Sequence, residues 1–333
     1  MEQLTLNLPG VDLEEEVIKK ELSFEEKIEQ SKKILKLGAA MSKKFYGAPM
    51  ILCYSGGKDS EVLLHLAETT LEIGDFEVVN SHTSVDAPET VYIIRDTFKR
   101  LNEKGIHAEV LYPKDANGNH ETMWTLIPKK KSPPTRLIRY CCQKLKEIST
   151  PNRMACIGVR ADESTGRQGR DVFGVRAATK KEGLFFSLEH TEEVFKDALE
   201  MDDPVWDCTL IKNMREHKDT LVYPIYDWSN KEIWDYIHAN NLTINPLYNR
   251  GYLRIGCIGC PMASYKQKMK EFNEFPTYKQ AYINAFQKML DLFDDEERRK
   301  AQSWQTGEDV FNWWIQEGKH NIKGQISMFD EED

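Results

Sequence analysis

The sequence predicts an α/β protein: a mostly parallel sheet with helices on both faces, followed by a helical C-terminal region. Three observations carry this. Apolar runs of strand length alternate with stretches of helical period between Met50 and Asn240. A Gly-Gly pair stands at the first strand-to-helix junction, where a tight turn is needed. Beyond residue 264 the aromatic residues recur at helical spacing.

Residues 1–22 read as an acidic, flexible leader. Ser23 then opens a helix, with Glu26 completing a capping box. Ile28, Ile34, Leu35, Leu37 and Met41 give that helix its apolar face, and Pro49 ends the unit. Met50 to Tyr54 reads as a buried strand and Asp59 to Thr69 as a helix. Phe76 to Ser81 is the next strand, and Thr90 to Lys104 a helix stopped at Gly105. His107 to Tyr112 is a strand. A helix around Gln143 to Ile148 precedes the strand Met154 to Val159. Leu221 to Ile225 is one more strand, before the helix Lys231 to Asn240. Residues 171–220 read as an irregular insertion. From 264 to 318 helices are expected, with Phe272, Phe275, Tyr282, Phe286, Leu290 and Phe293 on their apolar face. The last stretch, 319–333, reads as a flexible tail.

The chain has 333 residues, 40% of them hydrophobic, enough for one large domain with a helical addition. A net charge of −9 argues against broad nucleic-acid binding. The charge is uneven, however. Lys129, Lys130, Lys131, Arg136, Arg139, Lys144 and Lys146 occur with no acid among them, a pattern suited to phosphate or sulfate, or to a plain solvated face. No apolar run reaches the ~18 residues of a membrane span. The N-terminus lacks the basic-then-apolar pattern of a signal peptide. Seven cysteines without such a signal are expected as thiols or ligands in a cytoplasmic protein, not as disulfides. No internal repeat or low-complexity tract is evident.

Ser55-Gly56-Gly57-Lys58-Asp59-Ser60 lies where the first strand of the alternation becomes a helix. The glycines let the backbone turn and approach an anion closely. Free N–H groups of the turn and of the helix N-terminus then face phosphate oxygens. Lys58 adds charge; Ser55 and Ser60 add hydroxyls. The spacing is not that of the P-loop.

Cys141 and Cys142 are adjacent, and Cys257 and Cys260 form a Cys-x-x-Cys. Thiolates in this pattern suit a 4Fe–4S cluster or tetrahedral zinc. Neighbouring side chains on a regular helix diverge, so a shared site implies a distorted backbone at Cys141-Cys142. Cys53 and Cys156 fall in predicted strands and read as core residues. Cys208 falls in the insertion, as a candidate reactive thiol.

The hexapeptide resembles the pyrophosphate loop of the adenine nucleotide α-hydrolase superfamily, a Rossmann-like fold. Further segments resemble the phosphoadenosine phosphosulfate reductase family: Asp86-Ala87-Pro88-Glu89-Thr90, Arg139-Tyr140-Cys141-Cys142 with Leu145-Lys146, and Gly158-Val159-Arg160-Ala161-Asp162-Glu163-Ser164 with Arg167. Pro224-Ile225, Trp228, Trp234 and Asn245-Pro246-Leu247-Tyr248 extend it. The resemblance covers roughly residues 45–265. It implies a nucleotide-binding α/β domain over 23–263 and a 4Fe–4S cluster on Cys141, Cys142, Cys257 and Cys260, as in adenylyl-sulfate reductases and DNA phosphorothioation sulfurtransferases. It implies ATP or an adenylyl-sulfate nucleotide in the loop. Arg160 and Arg167 are expected to clamp its phosphate or sulfate, or to form structural salt bridges. Arg139 belongs to the same expected binding set. Asp86 or Glu89 is expected to hold Mg²⁺ or a ribose hydroxyl, Glu89 alternatively capping a helix. Lys58, Asp59 and Arg160 are the candidate catalytic residues.

The reductases of this family carry a catalytic cysteine in a C-terminal Glu-Cys-Gly-type motif, whereas the last cysteine here is Cys260. The expected function is therefore an ATP-dependent, adenylating and pyrophosphate-releasing sulfurtransferase. Its acceptor would include nucleic acid, such as DNA within a DNA-modification complex, and its sulfur would come from a donor protein and be held at the cluster. One alternative is an atypical adenylyl-sulfate or phosphoadenylyl-sulfate reductase using a thiol from Cys208 or a partner. Another is a non-catalytic nucleotide or redox sensor. Gln325-Ile326-Ser327-Met328-Phe329 resembles the peptide that binds the bacterial sliding clamp.

Overall fold

The computed structural model describes residues 22–146, 152–163, 167, 169–175, 184–200, 208–301 and 303–316. Most of the expected leader, the tail with Gln325–Phe329, Ile148 and Ser164 lie outside the described residues.

Helix α1 (Phe24–Tyr46) begins at the expected capping box: Ser23 accepts the Glu26 amide, and Glu26 accepts that of Ser23. It ends at Gly47 in the left-handed conformation. Then follow β1 (Met50–Cys53), α2 (Lys58–Thr70), β2 (Phe76–Ser81), α3 (Pro88–Glu103), β3 (Ala108–Leu111), α4 (Met123–Lys130), α5 (Tyr140–Leu145) and β4 (Met154–Cys156). Beyond these come β5 (Phe173–Val175), β6 (Leu184–Phe186), α6 (Leu188–Glu200), α7 (Thr209–Arg215), β7 (Thr220–Val222) and α8 (Asn230–Ala239). The chain continues with α9 (Tyr265–Glu274), α10 (Pro276–Asp291), α11 (Asp295–Lys300) and α12 (Gly307–Gln316).

The sheet runs β3-β2-β1-β4-β7-β5-β6. Strands β3, β2, β1, β4 and β7 are mutually parallel; β5 and β6 close one edge antiparallel. The α/β class and the helical C-terminal region expected from the sequence are both present. The strand order reverses at β1, which has β2 on one side and β4 on the other. Ligand crevices form at such a reversal, beyond the carboxyl ends of the strands.

Strands β4 and β7 are shorter than expected. After Cys156 only the Ile157 amide still bonds across, to Val222. Ile157 to Arg160 then leave the ladder and line a cavity instead. The region 171–220 is not irregular throughout. Its strands are three residues each, too short to display a period, and α6 hides its buried stripe of Leu188, Thr191, Val194 and Ala198 among charged residues. Helix α4 was not expected either; Pro128 lies inside it.

Two apolar cores result. One fills the sheet and its helices, with Leu52, Val62, Val78, Cys156 and Trp228 fully or nearly fully buried. The other joins α4, α5, α10 and α12 to the segment from Leu247 to Ile258. Phe272, Tyr282, Phe286 and Leu290 are buried in this second core as the helical pattern required, with Phe275 and Phe293 packed against it. Among the described residues, no helix is long and apolar enough to cross a membrane.

Candidate active site

The turn after β1 is built as its sequence demands. Gly56 adopts φ +71°, and a β-carbon there would press on Thr90 at 3.2 Å. Asn245 bonds the Gly56 carbonyl at 3.3 Å and Thr90 Oγ1 at 3.0 Å, tying the loop to α3. Ser60 folds back to donate to the Gly57 carbonyl at 2.8 Å, and it accepts from Ser55. The Lys58 amide, at the head of α2, donates to the Tyr248 hydroxyl at 2.9 Å. Burial pushes that hydroxyl up to about 12.

Lys58 is not solvent-open: it is 6% exposed, and its Nζ lies 2.7 Å from Asp59 Oδ2. Burial lowers its pKa below the usual lysine value, against the opposing pull of Asp59. Arg160 is buried too, bonding Asp59 Oδ1 through Nε at 2.7 Å and the Trp228 carbonyl at 3.2 Å. Arg167 pairs with Glu163. Burial, then the charges of Arg254, Arg170 and Arg160, lower its pKa. Arg160 is thus tied to a carboxylate, while the buried Nη1 of Arg167 makes no hydrogen bond. Ser55, Gly57, Lys58, Asp59, Ser60, Arg160 and Arg167 nevertheless share the wall of one cavity of about 490 Å³. A crowd of cations in one hollow, beside a helix N-terminus, favours an anion.

A second hollow of about 330 Å³ lies along the carboxyl ends of β1, β2 and β4, at the reversal point, and Asp86 lines it. Asp86 Oδ2 accepts from the Thr83 hydroxyl at 2.7 Å. Glu89 is drawn aside by an ion pair with Arg250, and no side-chain cap forms at the head of α3.

The four expected cysteines meet in a third cavity, of about 490 Å³. Cys141 and Cys142 lie in the first turn of α5. The turn is tight at its start, since the amides of both Cys142 and Gln143 donate to the Arg139 carbonyl. The Cys257–Cys260 turn is clamped from three sides. Ile258 N bonds Val85 O at 2.8 Å, Tyr282 Oη bonds Ile258 O at 3.0 Å, and Gly259 N bonds Glu271 at 2.8 Å. Arg139 lines this cavity, not the phosphate cradle.

Among the described residues, no three Cys, His, Asp or Glu side chains are set around a single ion. The donor set still fits a thiolate-bound centre. A hydrogen bond to Cys142, then burial, then the charges of Cys257 and Cys260 push the Cys141 thiol far up. Burial takes Cys257 up to about 11, against the pull of Lys146.

Some residues were misjudged or missed. Cys53 is half-buried and lines both the phosphate and reversal-point cavities, so it is not a core residue. Cys156 is in the core, 0% exposed, as expected. Cys208 heads α7 and packs on the main core. The basic run is partly neutralised by Lys129–Glu121 and Lys131–Glu297 pairs, each at 2.7 Å. Arg254 was not singled out, yet it lines all three cavities.

A mostly parallel α/β sheet with a glycine-rich turn after its central strand β1, beside a cavity lined by four cysteines, is the combination that the comparisons match. The chain belongs to the phosphoadenosine phosphosulfate reductase domain family, which matches residues 49–263. An adenosine 5'-phosphosulfate reductase of Anoxybacillus flavithermus is 37% identical over 227 residues, 67% of this chain and 77% of that protein. An uncharacterized protein of Methanocaldococcus jannaschii is 25% identical over 313 residues, 86% of this chain and 62% of that protein. A second one from the same organism is also 25% identical, over 81% of this chain and 45% of its own length. The chain thus spans less than two thirds of these two archaeal relatives. Among solved structures, phosphoadenylyl-sulfate reductase from Candida auris superposes with a TM-score of 0.39 at 15% identity, covering 71% of this chain and 96% of the other. The U34-tRNA thiolase of Methanococcus maripaludis, solved with its 4Fe–4S cluster, gives 0.37 at 13% identity, covering 88% and 83%.

Proposed function

We propose that the protein is an ATP-dependent sulfurtransferase that adenylates its acceptor and releases pyrophosphate. The observation that carries this reading is a shared wall: Arg167, Leu253 and Arg254 line both the phosphate cradle and the four-thiol cavity. Activation at the nucleotide and delivery of sulfur thus have adjoining places.

In this reading the loop amides and Lys58 hold the phosphates of ATP, with Mg²⁺ accompanying them. An acceptor oxygen attacks the α-phosphorus, the bond to the β-phosphate oxygen breaks, and pyrophosphate leaves. Lys58 and the helix N-terminus stabilise the charge that develops on the leaving oxygens. Asp59 and Arg160 hold Lys58 in place. Sulfide-level sulfur supplied by a donor protein then attacks the activated acceptor atom, whose bond to the adenylyl oxygen breaks, so that AMP leaves with that oxygen. Cys141, Cys142, Cys257 and Cys260 would hold a 4Fe–4S cluster, which supplies a binding place for that sulfur. Nucleic acid is the proposed acceptor, and the Gln325–Phe329 peptide would bring the enzyme to a sliding clamp. Titrating a peptide of residues 320–333 into purified clamp tests that last element.

Pyrophosphate release from ATP by anaerobically purified protein, with and without nucleic acid, is the test. Turnover that nucleic acid accelerates supports the reading; no release under either condition removes it. A second reading, reduction of adenylyl sulfate, is favoured by the identity to named reductases. Cys208 offers it no thiol, because that residue lines none of the three cavities. Sulfite release from adenylyl sulfate with an added thiol would establish it instead.

A further inference from the structure

Three arginines line the phosphate cradle: Arg160, Arg167 and Arg254. Arg160 is held by Asp59, whereas Arg167 lies against Glu163 but leaves its buried Nη1 without a hydrogen bond. Among the described residues, Arg254 is exposed and makes no ion pair or hydrogen bond with the protein. It is also the member of the set that reaches furthest, lining the phosphate cradle, the reversal-point hollow and the thiol cavity.

Its backbone is held on both sides. Two residues before it, the Tyr252 amide bonds Leu247 O at 3.2 Å and the Tyr252 hydroxyl bonds Glu274 at 2.6 Å. Three residues after it, Cys257 forms an isolated antiparallel bridge with Asp86, and Ile258 bonds Val85. A short, doubly anchored span therefore presents a side chain whose charge acts on the cradle. That charge helps depress the pKa of Lys58 and of Arg167. An oxyanion placed between these groups would relieve the repulsion and take up the guanidinium's donors.

We propose that Arg254 is the substrate-binding arginine of this site. It grips a phosphate or sulfate oxyanion of the bound nucleotide at the junction between cradle and thiol cavity, while Arg160 serves to hold Asp59. The proposal rests on the nucleotide-binding reading given above. It places the guanidinium on the side of the nucleotide that faces the thiols, so the group it grips is the one next to which sulfur chemistry would occur.

The experiment compares equilibrium binding of ATP and of adenosine to the anaerobic full-length protein and to Arg254→Ala and Arg254→Lys, with iron content measured on each. Arg254→Ala should weaken ATP by at least about tenfold, the effect of losing one charge-assisted hydrogen bond. Adenosine affinity and iron content should stay at the wild-type level, and Arg254→Lys should recover part of the loss. Two outcomes overturn the assignment: unchanged ATP affinity in Arg254→Ala, or equal weakening of ATP and adenosine, which would mark a structural role. If Lys58→Ala loses ATP while Arg254→Ala does not, only the arginine assignment falls. If the wild-type protein binds no ATP, the nucleotide reading fails and the assignment with it.

Discussion

Asp59 stands between two cations, accepting Arg160 Nε–H at 2.7 Å on one carboxylate oxygen and Lys58 Nζ–H at 2.7 Å on the other. Arg160 is 3% exposed and also holds the Trp228 carbonyl. Removing it would leave a largely buried carboxylate with half its partners and a buried carbonyl without its side-chain donor. Arg160→Ala should therefore destabilise the fold by about 3 kcal/mol, read as a lowered urea midpoint. Loss of ATP affinity with an unchanged midpoint would mean the reverse: that Arg160 clamps ligand and does little for the fold.

The turn that carries Cys257 and Cys260 admits one residue type at its third position. Gly259 has φ +70°, and a β-carbon there would lie 2.6 Å from Phe272 Cζ and 2.8 Å from Trp314 Cη2. Gly259→Ala combines left-handed strain with overpacking, for a loss of about 2–4 kcal/mol. Iron bound per chain should fall with it. Gly47→Ala is the control, since Gly47 has φ +62° with nothing within 4 Å of its absent β-carbon. It carries strain alone, about 1–2 kcal/mol, and should retain iron. Equal iron and equal stability loss in the two variants would remove the packing argument.

The parts legible in the sequence were those with a local signature. The capping box at Ser23 and the glycine at 56 each announce a backbone geometry, and the structure has it, whereas Gly57 is in ordinary extended backbone. The four cysteines were legible as a set because thiol pairs are rare and specific. Arginines were not. Arg160, Arg167, Arg250 and Arg254 look alike in the chain, and their roles depend on which carboxylate the fold brings near. Glu89 illustrates the same limit: Arg250, 161 residues away, forms an ion pair with it that nothing local announces. Tyr248 was visible as part of a segment, but its bond to the Lys58 amide comes from long-range packing. Strands β5 and β6 escaped because their pairing, not their pattern, defines them.

Glu61 gives the fold a pH dependence of known sign. It accepts the Tyr54 hydroxyl at 2.6 Å, and burial raises its pKa above the usual 4.5, although Tyr54 and Arg100 pull it down. A carboxyl raised in the folded state contributes stability that is full below 4.5 and lost as the pH climbs through its folded value. Glu61→Gln keeps an acceptor for Tyr54 and cannot ionise. Relative to wild type, it should match near the low end of that window and become progressively more stable above it. Chemical denaturation of both proteins from acid to neutral pH measures this, and a pH-independent difference would discard Glu61 as the cause.

The last prediction separates ligand thiols from a packed one. Cys257 lines the thiol cavity, whereas Cys156 lies in β4 at 0% exposure, bonded into the ladder beside Leu52. Cys156 lines none of the three cavities, so no metal centre can reach its thiol. Anaerobic wild-type protein should be brown and contain about four irons per chain. Cys257→Ser should bleach it. Cys156→Ser should remain brown while losing about 1–2 kcal/mol of stability, because a hydroxyl replaces a thiol in an apolar core. Retained colour in Cys257→Ser would take that residue out of the ligand set. A colourless wild-type preparation with one stoichiometric zinc would replace the cluster by a tetrahedral thiolate site, using the same four cysteines.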